Sequence, residues 1–290
     1  MPKINDTEMS ENSKVISSAA KCRKLPVVVV IGAGAGIGMH VAKRFARGDN
    51  GLRQRYHVCL VRRSNSEGLK RAVRDINNEA GTGSTSSEAA AAATGFLLDV
   101  TKPNVMEQLV NDIETDIGPL AVVVYNLGAQ IGNQRLSDTS YKQFEMGWKL
   151  GTFGLFRVCK SVLPFMANRG CGTVLVTSST AAIRGNKGQH SHAAAMGGRR
   201  MLCQTLNAEY AKQGVHIAHI IVDGGVDAPD TLGRMLGSEK FQQLRKEKEL
   251  IKPESLADTY WHLAHQHSSA WTFELDLRSR SDVPWWNSRL

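Results

Sequence analysis

The sequence predicts an α/β fold: a single domain built on a doubly wound parallel sheet with helices on both faces. Three observations predict it. Short apolar runs alternate along the whole chain with amphipathic stretches of helical spacing, a pattern that implies parallel pairing through helical crossovers. Runs such as Val27–Ile31 and Leu120–Tyr125 are apolar at every position rather than every second one, as strands covered on both faces require. The first run passes directly into a glycine cluster and then a helix, which is how such a sheet presents a helix N-terminus to an anion.

Residues 1–24 are polar and aperiodic and are expected to form a disordered tail. The first strand, Val27–Ile31, leads into Gly32, Gly34, Gly36 and Gly38, and helical spacing follows, with Ile37, Val41 and Phe45 on one stripe. Glycines let the backbone pass close to a phosphate, and free N–H groups and the helix dipole bind it; the alternative is a glycine-rich turn without a ligand. Tyr56–Val61 is the second strand and closes on Arg62-Arg63-Ser64, before a helix over Glu67–Asn78. Residues 79–95 read as a low-complexity insertion, although their alanines could instead extend the helix. Phe96–Val100 is the third strand and Asn104–Ile117 a helix. Leu120–Tyr125 is the fourth strand, running into Asn126-Leu127-Gly128. Ser140–Met166 reads as one long helix, Gly172–Thr177 as the fifth strand leading into Ser178-Ser179, and His190–Gln213 as a second long helix. Val215–Val222 is the sixth strand, Pro253–Gln266 a late helix and Trp271–Leu277 the last strand, so the domain spans 25–280 with a C-terminal tail over 281–290.

A net charge of +9 is carried by scattered residues, and aromatics make up only 6% of the chain, so a solvated basic surface is preferred to nucleic-acid binding. The five cysteines are odd in number, widely spaced and free of CxxC pairs, which argues against a disulfide framework or zinc site and for a reducing compartment. No uninterrupted apolar run is long enough to predict a membrane partner. The acidic residues Asp6, Glu8 and Glu11 disfavour a mitochondrial transit peptide. The histidines at 190, 192, 262, 265 and 267 have no nearby cysteines, so no metal site is expected.

On these motifs the chain resembles the short-chain dehydrogenase/reductase family over about residues 25–280. Gly32, Gly36 and Gly38 match its GxxxGxG cofactor turn, and Asp99-Val100 its adenine-holding Asp-Val. Tyr125-Asn126-Leu127-Gly128 matches its Asn-Asn-Ala-Gly stretch, and Ser179 stands where it has its catalytic serine. The resemblance implies a Rossmann-type fold, a nicotinamide cofactor held at Gly32, Gly34, Gly36, Ile37, Gly38, Arg62, Arg63, Asp99, Val100, Asn126 and Gly128, and a small carbonyl or alcohol substrate. It also implies a homodimer or homotetramer paired through the two long helices, with residues 226–252 as the substrate-binding loop. An acidic residue after the second strand would bind the ribose hydroxyl of NAD(H), whereas Arg62-Arg63 suits the extra phosphate, so NADP(H) is preferred.

The chain departs from the family at three of four catalytic positions. Counting from Ser179, the tyrosine position holds His192 and the lysine position Met196; aligning Trp148 places Gly151 at the asparagine position. Loss of a positioned acid or base typically costs roughly 10²–10⁴-fold in rate. Two expectations follow. One is an unusual NADP(H)-dependent oxidoreductase in which Ser179 orients the substrate and His192 or Tyr125 donates the proton. The other is a nucleotide-binding protein that keeps the fold without turnover, with His192 merely filling the vacated space. The ending Ser288-Arg289-Leu290 resembles the Ser-Lys-Leu tripeptide read by the peroxisomal import receptor, so a peroxisome or related organelle is expected, with the cytoplasm as alternative.

Overall fold

The computed structural model describes residues 24–49, 56–80, 92–128, 134–247 and 249–287. Most of the expected N-terminal tail, residues 81–91 of the low-complexity stretch and Ser288-Arg289-Leu290 lie outside them. Seven parallel strands form one sheet in the order β3-β2-β1-β4-β5-β6-β7. They are β1 (Val27–Ile31), β2 (His57–Arg62), β3 (Ala93–Leu97), β4 (Leu120–Tyr125), β5 (Gly172–Ser179), β6 (Val215–Val222) and β7 (Glu274–Leu277).

The helices follow the expected alternation: α1 (Ile37–Arg47), α2 (Ser66–Glu79), α3 (Val105–Asp112), α4 (Tyr141–Trp148), α5 (Gly154–Arg169), α6 (His190–Tyr210), α7 (Ser238–Glu247) and α8 (Pro253–Ala264). β1 explains why its sequence is apolar at every position. Val27, Val29 and Ile31 enter one core with residues of α3, α5 and α6, while Val28 and Val30 enter the opposite core with α1, α2 and α8. At roughly 1.5–3 kcal/mol per buried side chain, these five residues contribute on the order of 10 kcal/mol, comparable with a domain's net stability.

The edges of the sheet differ from expectation. β3 begins at Ala93, three residues before the expected Phe96, and ends before Asp99. Its Ala-Thr-Gly start carries little apolar signal because it is an edge strand, and α2 leaves room only for a small residue: a Cβ at Gly95 would lie 2.9 Å from Leu69 Cγ. Asn77 of α2 fixes the strand's entry, its Oδ1 accepting from the amides of Ala92 (2.8 Å) and Ala93 (3.0 Å). At the other edge β7 starts at Glu274, because Trp271 instead stacks on His216 of β6 with ring centroids 5.0 Å apart.

The long helix expected over 140–166 runs from Tyr141 to Arg169 and carries one wider π-turn, Lys149–Phe153, between α4 and α5. It passes Pro164 and stops where Gly170 takes the left-handed conformation (φ +68°) that closes a helix C-terminus. By length and composition alone this stretch could cross a membrane, although Lys149, Arg157 and Lys160 interrupt its apolar run. Its buried residues, including Leu155, Val158, Val162 and Met166, are spent on the sheet. A similar π-turn, Ile113–Ile117, ends the α3 stretch. The expected substrate loop contains the turn Pro229–Gly233 and α7 and closes through a parallel bridge between Val226 and Ile251.

Residues 281–287 are fastened to the sheet end. The Trp285 amide donates to Asp223 Oδ2 (3.2 Å), its indole N–H donates to Asp276 Oδ2 (3.1 Å), and its carbonyl accepts from Arg184 Nη1 (2.9 Å).

Candidate nucleotide and catalytic site

The strand order reverses beside β1, between β2 and β4, and crevices at such a point, beyond the carboxyl ends of the strands, are where doubly wound sheets bind ligands. The glycine turn fills one side of this crevice. Gly32 has φ +88°, and a Cβ there would lie 2.8 Å from the Asn126 carbonyl oxygen; a Cβ on Gly38 would lie 2.4 Å from the Gly32 carbonyl oxygen. Both glycines are therefore demanded by backbone packing. Gly34 faces open space and lines the crevice. Gly36 instead approaches the substrate-loop side, 3.2 Å from Ala228 Cβ at an added Cβ, and Ile37 packs against the core. Asn126 ties β4 to the turn: its amide donates to the Ile31 carbonyl (2.8 Å) and its Nδ2 to the Gly32 carbonyl (3.0 Å).

Beside the turn lies a cavity of about 590 Å³. Its walls include Gly32, Gly34, Arg62, Arg63, Asn126 and Gly128 from the expected set. Lys43, Arg71 and Arg234 add cationic side chains that strand-end reasoning does not reach, since they lie on helices and beyond β6. Arg62 turns inward and its Nε donates to the Ala33 carbonyl of the glycine turn. A second cavity of about 230 Å³ is lined by Asp99, Val100, Leu127, Gly128 and Leu150, and shares Arg62 and Arg63 with the first. Burial pushes the Asp99 carboxyl up, but hydrogen bonds from the Thr101 hydroxyl (2.7 Å) and amide (2.9 Å), with Arg63 and Lys102 nearby, outweigh it and hold Asp99 below its ordinary value. The open glycines and clustered cations fit a polyanionic dinucleotide.

The proton-handling candidates are placed differently. Ser179 Oγ and His192 Nε2 are 3.0 Å apart, joined across the β5–α6 connection. Neither lines the two cavities; His192 faces a small recess with Gln143, Gly188 and Gln189. Tyr125 points away from the crevice. It is wholly buried, its hydroxyl donates to the Leu150 carbonyl (2.5 Å), and burial drives its pKa far upward despite the Arg199 guanidinium 5.1 Å from its ring centre. That geometry makes it a support for the π-turn rather than an acid at the crevice. Met196, which the sequence reading aligns with the family's lysine, is buried, and Ser178 Oγ contacts its sulfur at 3.8 Å. Gly151 is buried within the π-turn.

Sequence reasoning missed Arg199. It is 2% exposed, and its guanidinium donates to the carbonyls of Gly151 (2.8 Å), Thr177 (2.5 Å) and Leu127 (2.9 Å). The Arg199-Arg200 pair was its only sequence signal, and α6 periodicity alone does not say which arginine turns inward. Arg200 pairs with Glu274 at 2.6 Å instead. Among the described residues, no group of three or more His, Cys, Asp or Glu side chains is arranged to hold a metal.

Comparison with known proteins agrees with this fold. Residues 26–232 match the family model described as short chain dehydrogenase. The chain is 24% identical over 207 residues to the 3-oxoacyl-(acyl-carrier-protein) reductase FabG of Salmonella typhimurium, covering 71% of this chain and 75% of that protein. Its fold matches the L-sorbose reductase of Gluconobacter frateurii, solved with NADPH and L-sorbose, with a TM-score of 0.73 at 19% identity over 89% of this chain and 96% of that one. An actinorhodin polyketide ketoreductase variant solved with NADPH matches with a TM-score of 0.74 at 22% identity, covering 88% and 96% of the two chains.

Proposed function

The chain belongs to the short-chain dehydrogenase family, and from that premise we propose that it is an NADP(H)-dependent oxidoreductase acting on a small carbonyl or alcohol with a non-standard proton donor. The cofactor would supply or accept the hydride. Gly32, Gly34, Gly128 and Asn126 would form its cradle, Asp99 and Val100 would flank its adenine, and Arg63 with Arg71 would favour the extra phosphate. Ser179 would orient the substrate oxygen and His192 Nε2 would hold the proton. The single observation that carries the catalytic part is the 3.0 Å contact between Ser179 Oγ and His192 Nε2, which puts an imidazole in hydrogen-bond reach of the one retained catalytic side chain.

The test is a titration of the purified protein with NADPH and NADH by nicotinamide fluorescence, followed by a carbonyl panel. NADPH is expected to bind at least tenfold more tightly than NADH, with Arg63→Ala erasing most of the difference. His192→Phe should lower any turnover about 10²-fold or more while leaving NADPH binding intact. Binding of neither dinucleotide would overturn the reading. A second reading is favoured by Met196, whose buried thioether can offer the cofactor neither charge nor a donor. On it the chain binds the dinucleotide without turnover, and its signature would be NADPH binding with no oxidation across the panel.

Two narrower proposals accompany this. Trp148, Phe153 and Phe156 form an aromatic ladder running from α4 through the π-turn to α5, with Trp148 and Phe156 partly exposed, and this face would pair two copies. Light scattering that returns a mass of 31.7 kDa would sink it. Ser288-Arg289-Leu290 would direct the chain to a peroxisome-type organelle, which a reporter carrying the last dozen residues and staying diffuse would exclude.

A further inference from the structure

Arg199 is a cation in the core whose hydrogen-bond acceptors are all carbonyls, with the Tyr125 ring beneath it. Among the described residues no carboxylate pairs with it, although a buried charge without a counter-ion is costly. Its three acceptors come from segments that converge on one place. Leu127 follows β4 and walls both cavities. Thr177 lies on β5, two residues before Ser179. Gly151 sits in the π-turn beside Leu150, another wall of the smaller cavity. One planar fork therefore locks the ends of β4 and β5 to the π-turn. Arg199 lies one helical turn beyond Met196 on α6, and both side chains are buried.

Sheet order sets which part of a dinucleotide this lock serves. Arg62, Arg63 and Asp99, at the ends of β2 and β3, lie on one side of β1, so an adenosine held there leaves the other half to run over β4 and β5. We propose that Arg199 is a positioning residue for the nicotinamide half of the bound cofactor: it holds the Leu127 wall and the Thr177–Ser179 strand end in register with the π-turn, a duty the side chains at 196 and 151 cannot perform. The proposal rests on the nucleotide-binding reading above.

Two ligands separate the halves of the site. NADPH spans it, whereas 2′,5′-ADP occupies only the adenosine-phosphate end. Arg199→Met is expected to weaken NADPH at least tenfold and 2′,5′-ADP, whose adenine cavity shares the Leu127 wall, by no more than about a third of that factor. Arg199→Lys keeps the charge but not the three-way fork and should fall between. It also serves as the test if the methionine variant does not fold, with at least a threefold loss for NADPH and a smaller one for 2′,5′-ADP as its expected result. Equal losses for both ligands, or no loss for either, would make Arg199 a core residue only and overturn the proposal. An unaltered chain that binds 2′,5′-ADP but gains nothing with NADPH would overturn it too. If that chain binds neither ligand, the nucleotide reading itself fails.

Discussion

At the scale of single residues, Gly38 is the sharpest test of the crevice. Gly38→Ala would drive a methyl to 2.4 Å from the Gly32 carbonyl oxygen, a backbone atom that cannot step aside. Overpacking of this kind costs roughly 1–3 kcal/mol, so a lower melting temperature and a NADPH affinity down by tenfold or more are expected, read by calorimetry and titration. His219 carries a pH prediction. Burial pushes its imidazole down to about 4, against the pull of Glu274 at 2.9 Å. Between pH ~6.5 and 4 the unfolded chain therefore binds a proton that the folded chain refuses, and stability falls as the pH is lowered. His216 and His265 are displaced downward by burial as well and steepen the same window. The melting temperature should drop across it, and His219→Gln should flatten part of that drop; an unchanged slope would remove His219 from the account. Glycines and strand-end charges were legible in the sequence because their chemistry is local. Tyr125 was not: its position beside Asn126 suggested the crevice, but alternation along β4 sends its side chain into the core.

At the scale of elements, the π-turn Lys149–Phe153 is what helical periodicity cannot reveal, since one wider turn leaves the apolar spacing on either side intact. It frees carbonyls that Tyr125 and Arg199 then satisfy, and Thr152 Oγ1 donates across it to the Ala195 carbonyl of α6 (2.8 Å). Gly154, just past the turn, has no room for a side chain: a Cβ would lie 2.4 Å from the Tyr125 hydroxyl. Gly154→Ala is expected to destabilise the fold by about 1–3 kcal/mol, and adding Tyr125→Phe should recover part of the loss by removing the clashing oxygen. Equal melting temperatures for Gly154→Ala and the double variant would contradict this. The central strands and long helices were legible because both faces of each strand are buried. β3 and β7 were misplaced by three residues because edge strands need less apolar surface.

At the scale of the molecule, strand alternation with one glycine turn was enough to specify the architecture, since right-handed crossovers leave few topologies for such a pattern. What the order of elements could not convey is how the ends are tied. Trp285 is held by Asp223, Asp276 and Arg184, so β6, β7 and the connection after β5 share one clasp near the candidate Ser179–His192 pair. The bond between Asn77 and the amides of Ala92 and Ala93 does the same at the opposite edge. Because Asn77 holds the entry to β3 directly against α2, that entry is fixed by described residues on both sides. The consequence is an expectation for insertions: a guest peptide placed between Ala80 and Ala92 should leave the melting temperature unchanged while Asn77→Ala lowers it, since the side chain of Asn77 sets where β3 enters the sheet.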